Sequence, residues 1–293
     1  MAISQHELQH WMYRLNDVNN RIEYEQMQQN KDKHVTLVLY RHNAGTMSIF
    51  NKLMNYLHHY PHVESIQYQY VHNDRNIFKG VLEEYRSDYK GDTTRIDMHN
   101  YITYEQTGSH ANLLYLSDLS WRKEYHALFT KYIRFTPSFV ESFEPYESSV
   151  RAIRATKKKL IGILLRHPAL SHEQIRGRMP SFQQYDAKIQ SLLQTYENNC
   201  AFVLCTDVLE AEQYFKEKYS SYDILHPYSM KSSLNSRDEA HNLCDDKYEA
   251  TNISFLTVTL LSKCDDFIFP NSNMASVVLY MNPDITPHFL IGQ

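Results

Sequence analysis

Charged or small polar side chains follow three apolar segments in the second half of the chain. Arg166 and His167 come directly after a core-like run, Asp207 ends the next run, and Ser272 and Asn273 close the third. Arginine donates two parallel hydrogen bonds to phosphate oxygens. A helix that begins near Ser272 would offer backbone N–H groups to a phosphate. These residue types predict an anion site suited to a diphosphate.

The elements that position these residues follow from the alternation of apolar runs with helical sequence. Strands and helices in β-α-β order form one doubly wound parallel sheet, since the crossovers are right-handed. In such sheets ligands bind at the carboxyl ends of the strands, where all five residues fall. We predict strands at 160–165, 201–205, 223–225 and 267–269, with helices at 185–193, 210–218, 252–262 and 274–281.

The first half of the chain shows a second, less regular set of elements. His34–Tyr40 is a strand, and a turn containing Gly45 leads into a helix over 49–57, which together form one βα unit. We further predict a strand at 65–71, a short strand at 113–116, and helices within 1–30, 77–86, 121–135 and 138–155.

Composition limits the class of protein. The chain has 293 residues, 42% of them hydrophobic, and a formal net charge of −4, so it has no general attraction for nucleic acid or an anionic membrane. Only 7 glycines occur, and neither G-x-G-x-x-G nor G-x-x-x-x-G-K-[ST] is present, which excludes NAD-type and P-loop phosphate cradles. No D-x-D triplet occurs, so no metal and no cofactor is predicted.

Cysteine usage and the apolar pattern bear on location. Cys200, Cys205, Cys244 and Cys264 form no C-x-x-C pair, so free thiols in a reducing compartment are expected. No signal peptide and no apolar run near the roughly 20 residues of a membrane span is present. We therefore expect a cytoplasmic protein without a membrane span.

Each candidate residue has a structural interpretation beside the functional one. Arg166 is either a salt-bridged strand end or the ligand of a β-phosphate, and Asp207 is either a helix N-cap or a ligand of ribose or base. His167 is either a surface imidazole or a catalytic group, as phosphate donor or acid–base contributor. Ser272 and Asn273 either cap a helix or bind phosphate. Gly45 supplies a positive φ or allows close approach of a ligand.

Residues 150–285 resemble the second domain of the superfamily that contains α1,6-fucosyltransferases, rhizobial nodulation fucosyltransferases and protein O-fucosyltransferases. Their strand ending His-x-Arg-Arg-Thr-Asp corresponds to 164–169 here, where Arg166 stands at the first arginine. Leu164 stands at the position of the histidine, His167 at the second arginine and Ala169 at the aspartate. The family's acidic residue near the nucleotide base falls on Thr257. The remaining landmarks correspond to 44–48, 121–137, 205–207, 261–265 and 272–273.

The resemblance implies an α/β fold of two Rossmann-like domains facing across a cleft, the GT-B arrangement. Residues 1–137 would form the acceptor-side domain, and 138–293 the nucleotide-sugar-binding domain. The residues implied to bind the nucleotide-sugar are Gly45 from the first domain and Arg166, Asp207, Thr257, Ser272 and Asn273 from the second. The implied activity is metal-independent, inverting transfer of a sugar, fucose in the family, from a GDP-sugar to a glycan or protein acceptor. Arg176, Arg178 or Arg237 could replace lost positive charge. The alternatives are a non-catalytic relative that binds a nucleotide or glycan, and a transferase that uses another nucleotide-sugar.

Overall fold

A computed structural model describes residues 29–39, 45–69, 71–72, 75–98, 118–174, 176–227, 231–236 and 246–293. Several sequence predictions lie outside these ranges, namely most of the helix in 1–30, the strand at 113–116, Arg237 and Cys244. The fold is mixed α/β and contains two sheets that are built mainly from parallel strands.

The first sheet has the order β5-β2-β1-β6. Its parallel core consists of β1 (Val35–Leu39), β2 (Val63–Tyr68) and β6 (Thr94–Met98), and the short β5 (Tyr85–Arg86) pairs antiparallel with β2. Helix α1 (Thr46–His59) connects β1 to β2, so the predicted βα unit is present. A small hairpin of β3 (Val71–His72) and β4 (Arg75–Asn76) follows.

Two helices lead from the first sheet to the second. Helix α2 (Leu119–Tyr132) begins after Asp118, whose side chain accepts a hydrogen bond from the Ser120 N–H. Helix α3 (Pro137–Ala155) begins after Thr136, which caps it in the same manner. Proline at the first helical position costs nothing there, because that N–H has no intrahelical partner. The division into domains 1–137 and 138–293 stays a prediction.

The second sheet is wholly parallel, with the order β11-β10-β7-β8-β9. Chain order places two strands on either side of the central β7, which is the doubly wound arrangement. The strands are β7 (Lys159–Leu165), β8 (Cys200–Thr206), β9 (Ile224–Leu225), β10 (Asp266–Phe269) and β11 (Thr286–Phe289). The connecting helices are α4 (Phe182–Thr195), α5 (Leu209–Lys218), α6 (Lys247–Leu261) and α7 (Asn273–Met281).

One hydrophobic core extends across both halves of the molecule. It includes buried residues of β1, α1 and β2 together with residues of β7, β8, α6 and α7. The ring of Phe50 on α1 packs edge-on against Phe255 on α6, with centroids 5.4 Å apart, and Tyr125 on α2 stacks on Tyr280 at 5.1 Å. A second cluster fills the other face of the second sheet, under α4 and α5.

The predicted α/β class with parallel sheets is confirmed, and two details of the sequence prediction are wrong. Residues 77–86 contain a turn and β5 rather than a helix, because the Asn76 side chain accepts a hydrogen bond from the Phe78 N–H and starts the turn. The strand at 267–269 is not the last one, since β11 pairs with it in parallel.

Candidate functional site at the carboxyl edge of the second sheet

Arg166 and Asp207 lie side by side because β7 and β8 are in register. Leu165 pairs with Thr206 at the ends of the two strands, so the next residue of each strand emerges at the same edge. Arg166 Nη1 is 3.3 Å from Asp207 Oδ2, and the two side chains are only 17% and 10% exposed. The structure thus brings together two of the predicted donor-binding residues.

The negative charge of the buried Asp207 carboxylate is balanced by few groups of the described residues. Neither of its oxygens receives a hydrogen bond from a described residue, so the Arg166 ion pair is the main compensation seen there. A buried charge is strongly destabilising unless it is paired and hydrogen-bonded. The site therefore presents an acceptor that is suited to hydroxyl or N–H groups of a ligand.

Arg166 also contacts the third strand end. Its Nη1 lies 3.3 Å from the sulfur of Met274, in the first turn of α7. The guanidinium is consequently held between the end of β8 and the start of α7. No local sequence pattern indicates Met274, because the contact spans 108 residues.

His167 is buried, and both of its ring nitrogens are used within the protein. Nδ1 accepts a hydrogen bond from the Ala169 N–H at 3.1 Å, and Nε2 lies 2.8 Å from the Ser233 carbonyl oxygen. Because an N–H can only donate and a carbonyl can only accept, the ring is the neutral tautomer that carries its proton on Nε2. This geometry favours a role in positioning, and the predicted catalytic role of His167 stays a prediction.

The turn between β10 and α7 is built around Ser272. Its hydroxyl accepts a hydrogen bond from the Met274 N–H and caps α7. Gln174, in the loop after β7, holds the preceding Asn271 by donating to its carbonyl (2.9 Å) and accepting from its N–H (3.2 Å). Asn273 accepts hydrogen bonds from the side chain of Asn51 on α1. The loop after β7 thus contacts the segment that contains Ser233 through His167, and the turn after β10 through Gln174.

The outer side of β8 is completed by side chains, because β9 has only two residues. The carbonyls of Leu204 and Thr206 accept hydrogen bonds from His226 Nδ1 (3.1 Å) and Lys231 Nζ (3.2 Å). Glu212 on α5 pairs with both, at 2.6 and 2.9 Å. Burial lowers the pKa of Lys231. This cluster fixes the strand end that carries Asp207, and sequence reasoning did not identify it.

The remaining candidate residues are Gly45 before α1, Thr257 in α6, and Arg176 and Arg178 between β7 and α4. Gly45 is the N-cap of α1 with φ −65°, so the expected need for positive φ is wrong; nothing lies within 4 Å of where a Cβ would be, which leaves room for close approach. Thr257 is buried within α6, a helix that packs against α1, α3, α7 and β8. Arg176 and Arg178 are exposed, and Arg178 donates to the carbonyl of Gln293.

Two properties of the described ranges bear on ligands and membranes. In those ranges, no three His, Cys, Asp or Glu side chains are grouped so as to hold a metal ion. None of the helices found there combines the length and apolar character that crossing a membrane requires.

Comparison with known proteins gives matches among solved structures alone. No family model and no curated protein sequence matches the chain. An α-1,6-fucosyltransferase NodZ co-crystallised with GDP matches at 12% identity and a TM-score of 0.49, over 85% of this chain and 93% of that one. Se-Met fucosyltransferase NodZ from Bradyrhizobium gives 12% identity and a TM-score of 0.48, over 84% and 91%.

Another structure of fucosyltransferase NodZ from Bradyrhizobium matches at 12% identity and a TM-score of 0.40. That match covers 67% of this chain, and this chain spans only 55% of the length of the solved protein.

Proposed function

We propose that the chain is a glycosyltransferase that binds a GDP-sugar at the carboxyl edge of the second sheet and transfers the sugar, fucose by the sequence resemblance, to a glycan or protein acceptor. The observation that carries the proposal is the Arg166–Asp207 pair at the strand ends. A guanidinium suits phosphate oxygens, while a buried carboxylate without hydrogen-bond donors suits the hydroxyl or N–H groups of a nucleoside. A nucleoside diphosphate carries both kinds of group.

The proposed roles follow from charge. Arg166 holds the β-phosphate and stabilises the negative charge that develops as the bond between the sugar and the diphosphate breaks. Asp207 orients Arg166 and accepts a hydrogen bond from ribose or base. Ser272 and Asn273 present the N-terminus of α7 to a phosphate. The acceptor hydroxyl oxygen forms a bond to the anomeric carbon from the opposite face as the bond from that carbon to the diphosphate breaks. GDP leaves with the bonding electron pair and the hydroxyl proton passes to solvent water, which gives inversion without a metal.

The test is a thermal-shift series with GDP, UDP, CMP and GDP-fucose, each with Mg²⁺ and with EDTA. A ligand at a hundredfold excess over its Kd should add about 2.7 kcal/mol of stability. We expect GDP and GDP-fucose to stabilise the protein equally well in EDTA. The response should be lost in Arg166→Met and kept in Arg151→Met, an exposed arginine on α3. A response to UDP alone would mean that the donor is a UDP-sugar and not a GDP-sugar. No response to any nucleotide would refute the proposal.

A second candidate, a non-catalytic nucleotide- or glycan-binding protein, is favoured by one observation. Both ring nitrogens of His167 are committed to the protein, so this imidazole has no free position for proton transfer in the observed arrangement. Tight GDP binding combined with neither hydrolysis of GDP-fucose nor transfer to a panel of glycan and protein acceptors would favour this candidate.

A further inference from the structure

Asn51, on α1 in the first half of the molecule, contacts the N-terminal turn of α7 in the second half. Its Nδ2 lies 3.1 Å from the backbone oxygen of Asn273 and 2.9 Å from Asn273 Oδ1. Because both partners are oxygens, the amide of Asn51 must point its nitrogen toward them. The side-chain orientation of Asn51 is thereby fixed.

The other end of the same amide has no partner. Asn51 is fully buried, and its Oδ1 receives no hydrogen bond from any residue that the structure describes. A buried acceptor without a donor costs stability, whereas an apolar side chain of the same shape would avoid that cost. Stability of the core alone therefore does not explain an asparagine at this position.

We propose that Asn51 is a positioning residue that holds the first turn of α7 in the geometry that binds the donor phosphate. This inference rests on the proposed function, because it assigns a phosphate to the N-terminus of α7. Gln174 holds the same turn from the other side, through both backbone groups of Asn271. Asn273 is only partly buried, so without Asn51 its side chain can turn toward solvent.

The experiment compares Asn51→Leu with Asn55→Leu. Asn55 lies one turn further along α1, and its side chain accepts a hydrogen bond from Tyr125 on α2. Tyr125 stacks on Tyr280, at the opposite end of α7 from Asn273. Both variants make the same chemical change on the same helix. Calorimetric titration with GDP and with guanosine separates phosphate binding from nucleoside binding, and urea unfolding reports stability.

We expect Asn51→Leu to unfold at the same urea concentration as the wild type or higher. The ratio of GDP to guanosine affinity should fall about tenfold, as for the loss of one well-placed hydrogen bond to a charged group. Asn55→Leu should keep the wild-type ratio. A loss confined to phosphate binding is not expected of a residue that serves only the core.

A wild-type ratio in Asn51→Leu, or an equal fall in both variants, would overturn the inference. If Asn51→Leu does not fold, Asn51→Ala removes the same donor without adding a larger group, and a wild-type ratio in that variant would also overturn it. A wild-type protein that binds GDP no better than guanosine would instead refute the proposed function. The two failures are therefore distinguishable.

Discussion

Replacing Arg166 by methionine would leave the Asp207 carboxylate buried without its cation. Methionine retains most of the apolar stem, so the change mainly removes the charge. Breaking a buried ion pair from one side costs about 3–5 kcal/mol. Replacing Asp207 by asparagine as well removes the buried charge, so the double variant should avoid much of that cost.

Urea unfolding at pH 7 measures this loss. We expect Arg166→Met to lose about 3–5 kcal/mol. The double variant Arg166→Met/Asp207→Asn should recover at least half of the loss at pH 7. Arg151→Met, which breaks an exposed pair with Glu144, should change stability by less than about 1 kcal/mol. Wild-type stability in Arg166→Met, or no recovery in the double variant, would refute the reasoning.

Three further predictions follow. Burial alone would raise the pKa of Asp266, but hydrogen bonds from His288 and Tyr196 outweigh it and the pKa is lowered. The resulting stability is present above about pH 4 and is lost as pH falls through the lowered pKa, so urea unfolding of Asp266→Asn should show a shallower acid loss; an equally steep loss would argue against it. Because one core spans both sheets, calorimetry should show a single transition with equal van't Hoff and calorimetric enthalpies, and two transitions would contradict this. Burial raises the pKa of the Cys200, Cys205 and Cys264 thiols. The Cys244→Ser variant, which keeps only these three, should therefore not react with a thiol-labelling disulfide until it unfolds, and rapid labelling would contradict their burial.

The periodic elements were predictable from local sequence. The apolar runs of β7 and β8 and the amphipathic pattern of α4 are local signals, and α3 was expected in spite of Pro145. The strand β11 was missed because Pro287 lies within it. Proline cannot donate to a ladder, but β11 is at the edge of the sheet, where that loss is tolerated.

The site was predictable only in part, because its contacts join distant parts of the chain. The placement of Arg166 and Asp207 at adjacent strand ends follows from the parallel order of the sheet. The ties of His167 to Ser233 and of Asn51 to Asn273 span 66 and 222 residues and leave no local pattern. For the same reason, the structural interpretation of His167 as a surface imidazole is wrong, since the ring is buried and both of its nitrogens are hydrogen-bonded.

A crystal structure of the protein with GDP tests the central claim most directly. The account predicts density for the diphosphate at the carboxyl edge of the second sheet, with a β-phosphate oxygen within hydrogen-bond distance of the Arg166 guanidinium and a ribose or base group at Asp207. Density for GDP at any other place, with the Arg166–Asp207 pair unchanged, would contradict the account.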